Sequence, residues 1–387
     1  MPGIDEHSHG GNLRALGLES GRDPGAILDF SANLNPMGPP PWLAAAVERG
    51  LARVAAYPDP DATAAREAAS RRFGLPPSRF LFADGADSLI LALPRAVGAA
   101  RVFAFVPGYS GYLRAVSRSG AAFSPVPLDP ERDFALDAAA LSAALGEGPA
   151  LRDPASSAPA ECGAAPGRDL VFIGSPNNPA GGCLPDDALC ALATAFPSAV
   201  FAVDESFAEL SGRPQGLVGR HPSNVLVIRS LTKTYAMPGI RAGFAEGDEG
   251  LLAAIRRELP AWPLSSFAEE ACVEALADRA WGEEGAACVA EARASLVAGI
   301  AAMPGLRVVP GPANFILVGF RAGRGARRLR GLLLREGLAI RVFCPEEGLD
   351  DAWFRLAVRK PEENRRLMDA MRDILCGPLH VGKARGR

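Results

Sequence analysis

Ser230-Leu-Thr-Lys-Thr-Tyr-Ala-Met-Pro-Gly-Ile-Arg241 follows directly on the apolar run Val225-Leu-Val-Ile228. The run has the length and the β-branched content of a buried strand. What comes after it sets a lysine among hydroxyl residues, with an arginine further on. In α/β sheets ligands gather just past strand ends, so Lys233 falls where chemistry is expected. Its rarity sharpens the point: of 41 basic residues only Lys233, Lys360 and Lys383 are lysines. Lys360 precedes a proline in a charged stretch and Lys383 lies in a basic tail, and both read as solvated surface. An exposed basic loop is the other reading of Lys233, and this stretch alone leaves it open.

Working outward, further apolar strands are expected at 79–82, 102–106, 170–173 and 200–203, separated by helical patterns near 88–97, 109–119, 135–145 and 185–195. That alternation predicts an α/β fold whose mostly parallel sheet is covered on both faces. Residues 1–35 read as an irregular arm and 36–250 as a large domain. Residues 251–376, with long helices at 266–280 and 284–302 and strands at 306–309, 315–318 and 354–358, read as a smaller α+β domain. The stretch 146–168 has no periodicity and reads as a surface insertion, and 377–387 as a disordered tail.

The 387 residues suffice for a large core, and a net charge of -3 argues against nucleic-acid or acidic-membrane partners. No apolar run is long enough to span a bilayer, and the polar start does not resemble a signal peptide, so a cytoplasmic location is expected. The seven cysteines form no CxxC pair and the four histidines no cluster, so no metal site is expected.

Several other residues stand at strand ends or turns. Asp204 closes the strand at 200–203, and its carboxylate could meet a cationic ring nitrogen or merely cap the next turn. Asn178, in Ser175-Pro-Asn-Asn-Pro-Ala-Gly181, could donate to a ligand oxygen or belong to a plain Pro/Gly turn. Asp84-Gly85-Ala86-Asp87-Ser88 lies between strand and helix, where free N–H groups could bind phosphate or be capped. Ser230, Thr232 and Arg241 offer further phosphate donors. Tyr109 could stack on a ring or sit in a surface turn. Arg355, inside the apolar stretch Phe354-Arg-Leu-Ala-Val, should have a carboxylate partner, either substrate or a structural ion pair. One chemistry uses all of these together. Pyridoxal 5'-phosphate (PLP) needs a desolvated lysine for its Schiff base, an acid at its ring nitrogen, a phosphate cradle and an anchor for the substrate.

In this order, from about His9 to residue 375, the segments resemble the aspartate aminotransferase-like, fold-type-I PLP superfamily (class I/II). The resemblance implies that Lys233 carries the cofactor and that Asn178, Asp204 and Arg241 bind it, with Arg355 on the substrate carboxylate. Two branches are close, the histidinol-phosphate aminotransferases and the threonine-phosphate decarboxylases of cobalamin synthesis. His9-Gly-Gly-Asn12, Leu28-Asp-Phe-Ser-Ala-Asn-Leu-Asn-Pro-Met-Gly-Pro-Pro40 and Asp204-Glu-Ser-Phe207 are more similar to the decarboxylases. The implied substrate is a phosphorylated amino acid, with Arg341 on its phosphate and further contacts from His9, Gly10 and Asn35. Tyr57 matches a tyrosine that reaches the partner subunit's cofactor phosphate, which implies a homodimer with shared sites. The chain departs from the family at Ala180, where threonine is usual, at Ser88, where an acid is common, and in the loop Arg341-Val-Phe-Cys-Pro-Glu-Glu-Gly348. A PLP-binding transcription regulator would need a DNA-binding unit ahead of residue 9, for which no room is expected.

Overall fold

The computed structural model describes residues 10–147, 167–323 and 325–376. His9, nearly all of the expected 146–168 insertion and the expected 377–387 tail lie outside them. The strands in chain order are β1 (Leu28–Asp29), β2 (Phe80–Ala83), β3 (Ala99–Val106), β4 (Ala122–Pro127), β5 (Arg168–Gly174), β6 (Val200–Asp204) and β7 (Val225–Ser230). They continue with β8 (Gly243–Glu246), β9 (Leu306–Val308), β10 (Phe315–Phe320), β11 (Leu338–Ala339), β12 (Arg341–Val342) and β13 (Trp353–Ala357).

Seven strands make the large sheet, in the order β2-β8-β7-β6-β5-β3-β4. Only β8 runs against the rest, antiparallel to both β2 and β7. The central strands β6 and β7 are buried along their whole length, as continuous apolar runs in a doubly covered parallel sheet must be. Register aligns their ends: Gly174 pairs with Asp204, and Asp204 with Ile228. The turns that follow β5, β6 and β7 therefore open side by side.

A separate four-stranded antiparallel sheet, β12-β13-β10-β9, packs on its own core around Phe354, Leu296 and Leu367. The irregular arm expected at 1–35 instead carries the helix Leu13–Ser20, and β1 pairs in parallel with β11. The packing does not follow the division expected at residue 250. Helix Ser266–Ala277 buries Ala268, Ala271, Cys272 and Ala275 in the same core as Phe201 and Val227 of the large sheet.

One buried charge cluster sits behind the sheet. His221 has both ring nitrogens against acceptors, Nδ1 at 2.8 Å from the Pro222 carbonyl and Nε2 at 2.7 Å from a Glu246 oxygen. Two acceptors require two protons, so the geometry selects the imidazolium. Burial opposes that charge, but the bonds to Glu246 and Pro222 outweigh it and raise the pKa. A raised folded-state pKa gives stability that is complete below the unfolded value of about 6.5 and is lost as pH rises through the folded value. Urea denaturation should therefore show the wild type losing its advantage over His221→Gln as pH rises above about 6.5. A pH-independent difference would assign His221 a neutral role.

Candidate active site

The turns at the strand ends enclose a cavity of about 250 Å³. Gly85, Ala86, Asp87, Tyr109, Asn178, Asp204, Ser230, Thr232, Lys233, Arg241, Arg341 and Arg355 all line it, and so does Gly10. Residues far apart in sequence, each with a bland alternative reading, thus meet in one place.

Lys233 lies in a short helical turn, Leu231–Thr234, directly after β7. Burial, with Arg355 and Arg241 adding to it, lowers its pKa to about 8. A tenth or so of its amine is then free at neutral pH, far more than for an exposed lysine. Asp204 closes β6 and is buried. Its Oδ1 accepts from the Ser206 N–H at 3.0 Å and the Ser206 hydroxyl at 2.5 Å. Its Oδ2 accepts from the Tyr112 hydroxyl at 3.0 Å. The local cap and the cavity-facing acid are therefore the same residue, using different oxygens. Burial pushes the Asp204 pKa up, against the pull of Ser206, Tyr112 and Lys233. A cationic N–H delivered to this acid would reverse that penalty.

Opposite, the helix Ala86–Ala96 begins at Gly85 with no side-chain cap, so its first N–H groups are open. Gly85 has φ +104°, and a Cβ there would come 2.6 Å from Arg241 Nη2. Only glycine lets the Arg241 guanidinium lie against this helix start. Ser230 and Thr232 hydroxyls are 2.8 Å apart beside it. The Tyr109 hydroxyl donates to Asp87 at 3.0 Å, and its ring meets Tyr112 edge-on.

Of the two carboxylate partners expected for Arg355, the structural ion pair is absent among the described residues. Nη1 donates to Asn178 Oδ1 at 2.5 Å and Nη2 to the Ser31 carbonyl at 2.6 Å, while buried Nε has no partner. Burial, together with Arg341, lowers its pKa to about 9. A buried guanidinium bound only to neutral acceptors is a site for an incoming anion. Asn178 spends its carbonyl oxygen on Arg355, which leaves its NH₂ as the donor.

Two expected residues lie elsewhere. Asn35 does not line the cavity: its Nδ2 donates to the Thr234 carbonyl at 2.8 Å and its N–H to the Lys233 carbonyl at 3.0 Å. It clamps the lysine turn from behind. Asn33 lines the cavity instead, with a buried, unpartnered Oδ1. Strand-like alternation puts residues 33 and 35 alike in sequence, and only the turn at 34–38 separates their roles. Tyr57 is 77% exposed and stacks on Trp262 at 4.1 Å, away from this chain's cavity. The sequence reading missed Tyr112, Ser206, Arg114 and Glu347. Tyr112 had a signal, since it lies three residues after Tyr109 on one helix face.

The pattern of the family Aminotransferase class I and II matches residues 26–371. The chain belongs to that family. A threonine-phosphate decarboxylase of Salmonella typhimurium is 31% identical, over 96% of this chain and 97% of that protein. The adenosylcobalamin biosynthesis bifunctional protein of Leptospira interrogans is 32% identical over 97% of this chain, which spans only 42% of that protein's length. A histidinol-phosphate aminotransferase of Roseiflexus castenholzii is 32% identical over 90% of each chain. Among solved structures, the histidinol-phosphate aminotransferase of Sinorhizobium meliloti in complex with pyridoxal-5'-phosphate superposes with a TM-score of 0.79, at 23% identity over 95% of each chain. As a member of this class I and II family the protein is a PLP enzyme. The residues present fit that cofactor: an uncapped helix start with Arg241 for a phosphate, a buried acid, and a half-buried lysine of lowered pKa. Among the described residues no helix is long and apolar enough to cross a membrane, and no cluster could hold a metal ion.

Proposed function

We propose that this family member decarboxylates L-threonine O-3-phosphate to (R)-1-aminopropan-2-ol O-phosphate for cobalamin synthesis. The observation that carries this reading is that two arginines, Arg341 and Arg355, line one cavity with the half-buried Lys233. A substrate anionic at both ends, with an amine between, matches that arrangement. The similarity to the Salmonella decarboxylase over nearly the full length of both chains supports the same choice.

PLP, when bound, supplies an electron sink for the bonds at the substrate Cα. Lys233 would hold it covalently. Asp204 would stand at the ring nitrogen and keep it protonated, with Tyr112 and Ser206 fixing the carboxylate. Ser230, Thr232, Arg241 and the N–H groups at Gly85, Ala86 and Asp87 would take the cofactor phosphate. Tyr109 would cover the ring and Asn178 would donate to its oxygen. Phe207 has no hydroxyl to add there, and packs on Phe315 instead. Arg355, braced by Asn178 and Ser31, would orient the substrate carboxylate, which decides that C–C rather than C–H breaks. Arg341 would hold the phosphate end, with Gly10 and Asn33 lining the same cavity. Lys233 Nζ, whose pKa of about 8 lets it move a proton near neutral pH, would then return a proton to Cα. We also propose a homodimer, in which exposed Tyr57 reaches the neighbouring site.

The second reading is a histidinol-phosphate-type aminotransferase, favoured by the 32% identity to the Roseiflexus protein against 31% to the Salmonella decarboxylase. Proton NMR of the holoenzyme with L-threonine O-3-phosphate separates the two. Aminopropanol phosphate should form without 2-oxoglutarate. No such product, with glutamate formed from histidinol phosphate only when 2-oxoglutarate is added, would overturn the decarboxylase reading.

A further inference from the structure

Arg341 and Arg355 share the cavity, but their partners differ in kind. Arg355 meets only neutral acceptors. Arg341 Nη2 is bound to the carboxylate of Glu347, which is 5% exposed and itself lines the cavity. Glu347 is well seated: its Oε2 accepts from the Cys344 N–H at 3.1 Å and the Cys344 thiol at 3.4 Å. The turn Pro345–Glu347 ends at Gly348, with φ +83°, where a Cβ would come 2.4 Å from Val106 Cγ1 and 3.2 Å from Pro107. That close approach presses the turn against the loop leading to Tyr109. One arginine thus waits for an acid, and the other already has one.

We propose that Glu347 is an internal competitor for the phosphate end of the ligand, occupying Arg341 and easing the release of phosphorylated product. This rests on the function proposed above, which gives Arg341 the phosphate. The chemistry explains why the two arginines need different treatment. Decarboxylation removes the carboxylate from Arg355 as carbon dioxide, so that anchor lets go by the reaction itself. The phosphate is unchanged by the reaction and would hold the product as firmly as the substrate. A neighbouring carboxylate repels the dianion and takes over the guanidinium when it leaves, so no buried charge is stranded. Binding is weaker in proportion, and turnover is freed from a tight product complex.

Calorimetry on the holoenzyme tests this with Glu347→Gln, which keeps the shape and a hydrogen-bonding oxygen for Cys344 while removing the charge. Dissociation constants for inorganic phosphate and for 1-aminopropan-2-ol O-phosphate should both fall by about tenfold or more. Binding of L-threonine, which lacks the phosphate, should stay within about twofold, which a general loss of structure would not allow. Glu347→Asp, which withdraws the acid from Arg341 by one methylene, should tighten phosphate in the same direction by less, and covers the case in which the first variant folds poorly. Phosphate binding that is unchanged or weaker in both variants would overturn the proposal and make Glu347 a support for Arg341. Tighter inorganic phosphate in a protein that neither binds nor makes aminopropanol phosphate would uphold the competitor and reject the substrate.

Discussion

Lys233→Ala is expected to lower turnover by roughly 10³-fold or more, because in the proposed function the same amine would both attach the cofactor and move the proton at Cα. The residue is half-buried and lines the cavity, beside the cationic Arg355 and Arg241. Removing it therefore also removes a positive charge from a crowded site, and the apoenzyme should be no less stable to heat than wild type. Those two effects point in opposite directions, which makes the variant informative. A fall in activity that merely tracked a lower melting temperature would reduce Lys233 to a structural residue. Steady-state turnover with L-threonine O-3-phosphate, the proposed substrate, run beside a thermal melt, separates the cases.

Asp204→Asn should cost roughly 10²- to 10³-fold in kcat, the scale for removing the charged partner of a buried, hydrogen-bonded cation. Asparagine keeps the size and can still accept from Ser206 or Tyr112, so the turn after β6 should survive. Since burial holds the Asp204 pKa up, taking its charge away relieves a desolvation penalty. The apo variant should melt no lower than wild type, while the stabilisation gained on adding PLP should shrink. If Asp204 were only a cap, the loss would appear in the apo melt and kcat would be little changed.

Much of this was legible in the sequence, for identifiable reasons. The runs that became β5, β6 and β7 are continuously apolar, a pattern that only a doubly covered parallel sheet requires, and the chemistry-bearing residues follow their ends. Two strands of the large sheet were not legible. β4 carries Pro125 and Pro127, which is tolerated because it lies at the sheet edge. β8 is four residues long, two residues past Arg241, and its reversed direction has no local signature. Pairing was also out of reach. Arg355 could be seen to need a partner, but that the partners are an asparagine oxygen and a carbonyl, and that the acid sits on Arg341 instead, depends on β12 and β13 lying side by side. Asn33 and Asn35 are the same residue type on either side of Leu34, and the sequence cannot say which side chain faces the cavity and which clamps the lysine turn.

The most direct test of the central claim is to fix the cofactor in place with borohydride, digest with trypsin and weigh the peptides. Because cleavage stops at a modified lysine and proceeds at Arg229 and Arg241, the peptide 230–241 should appear intact with one phosphopyridoxyl group on Lys233. Phosphopyridoxyl on Lys360 or Lys383, or on no lysine at all, would contradict the account.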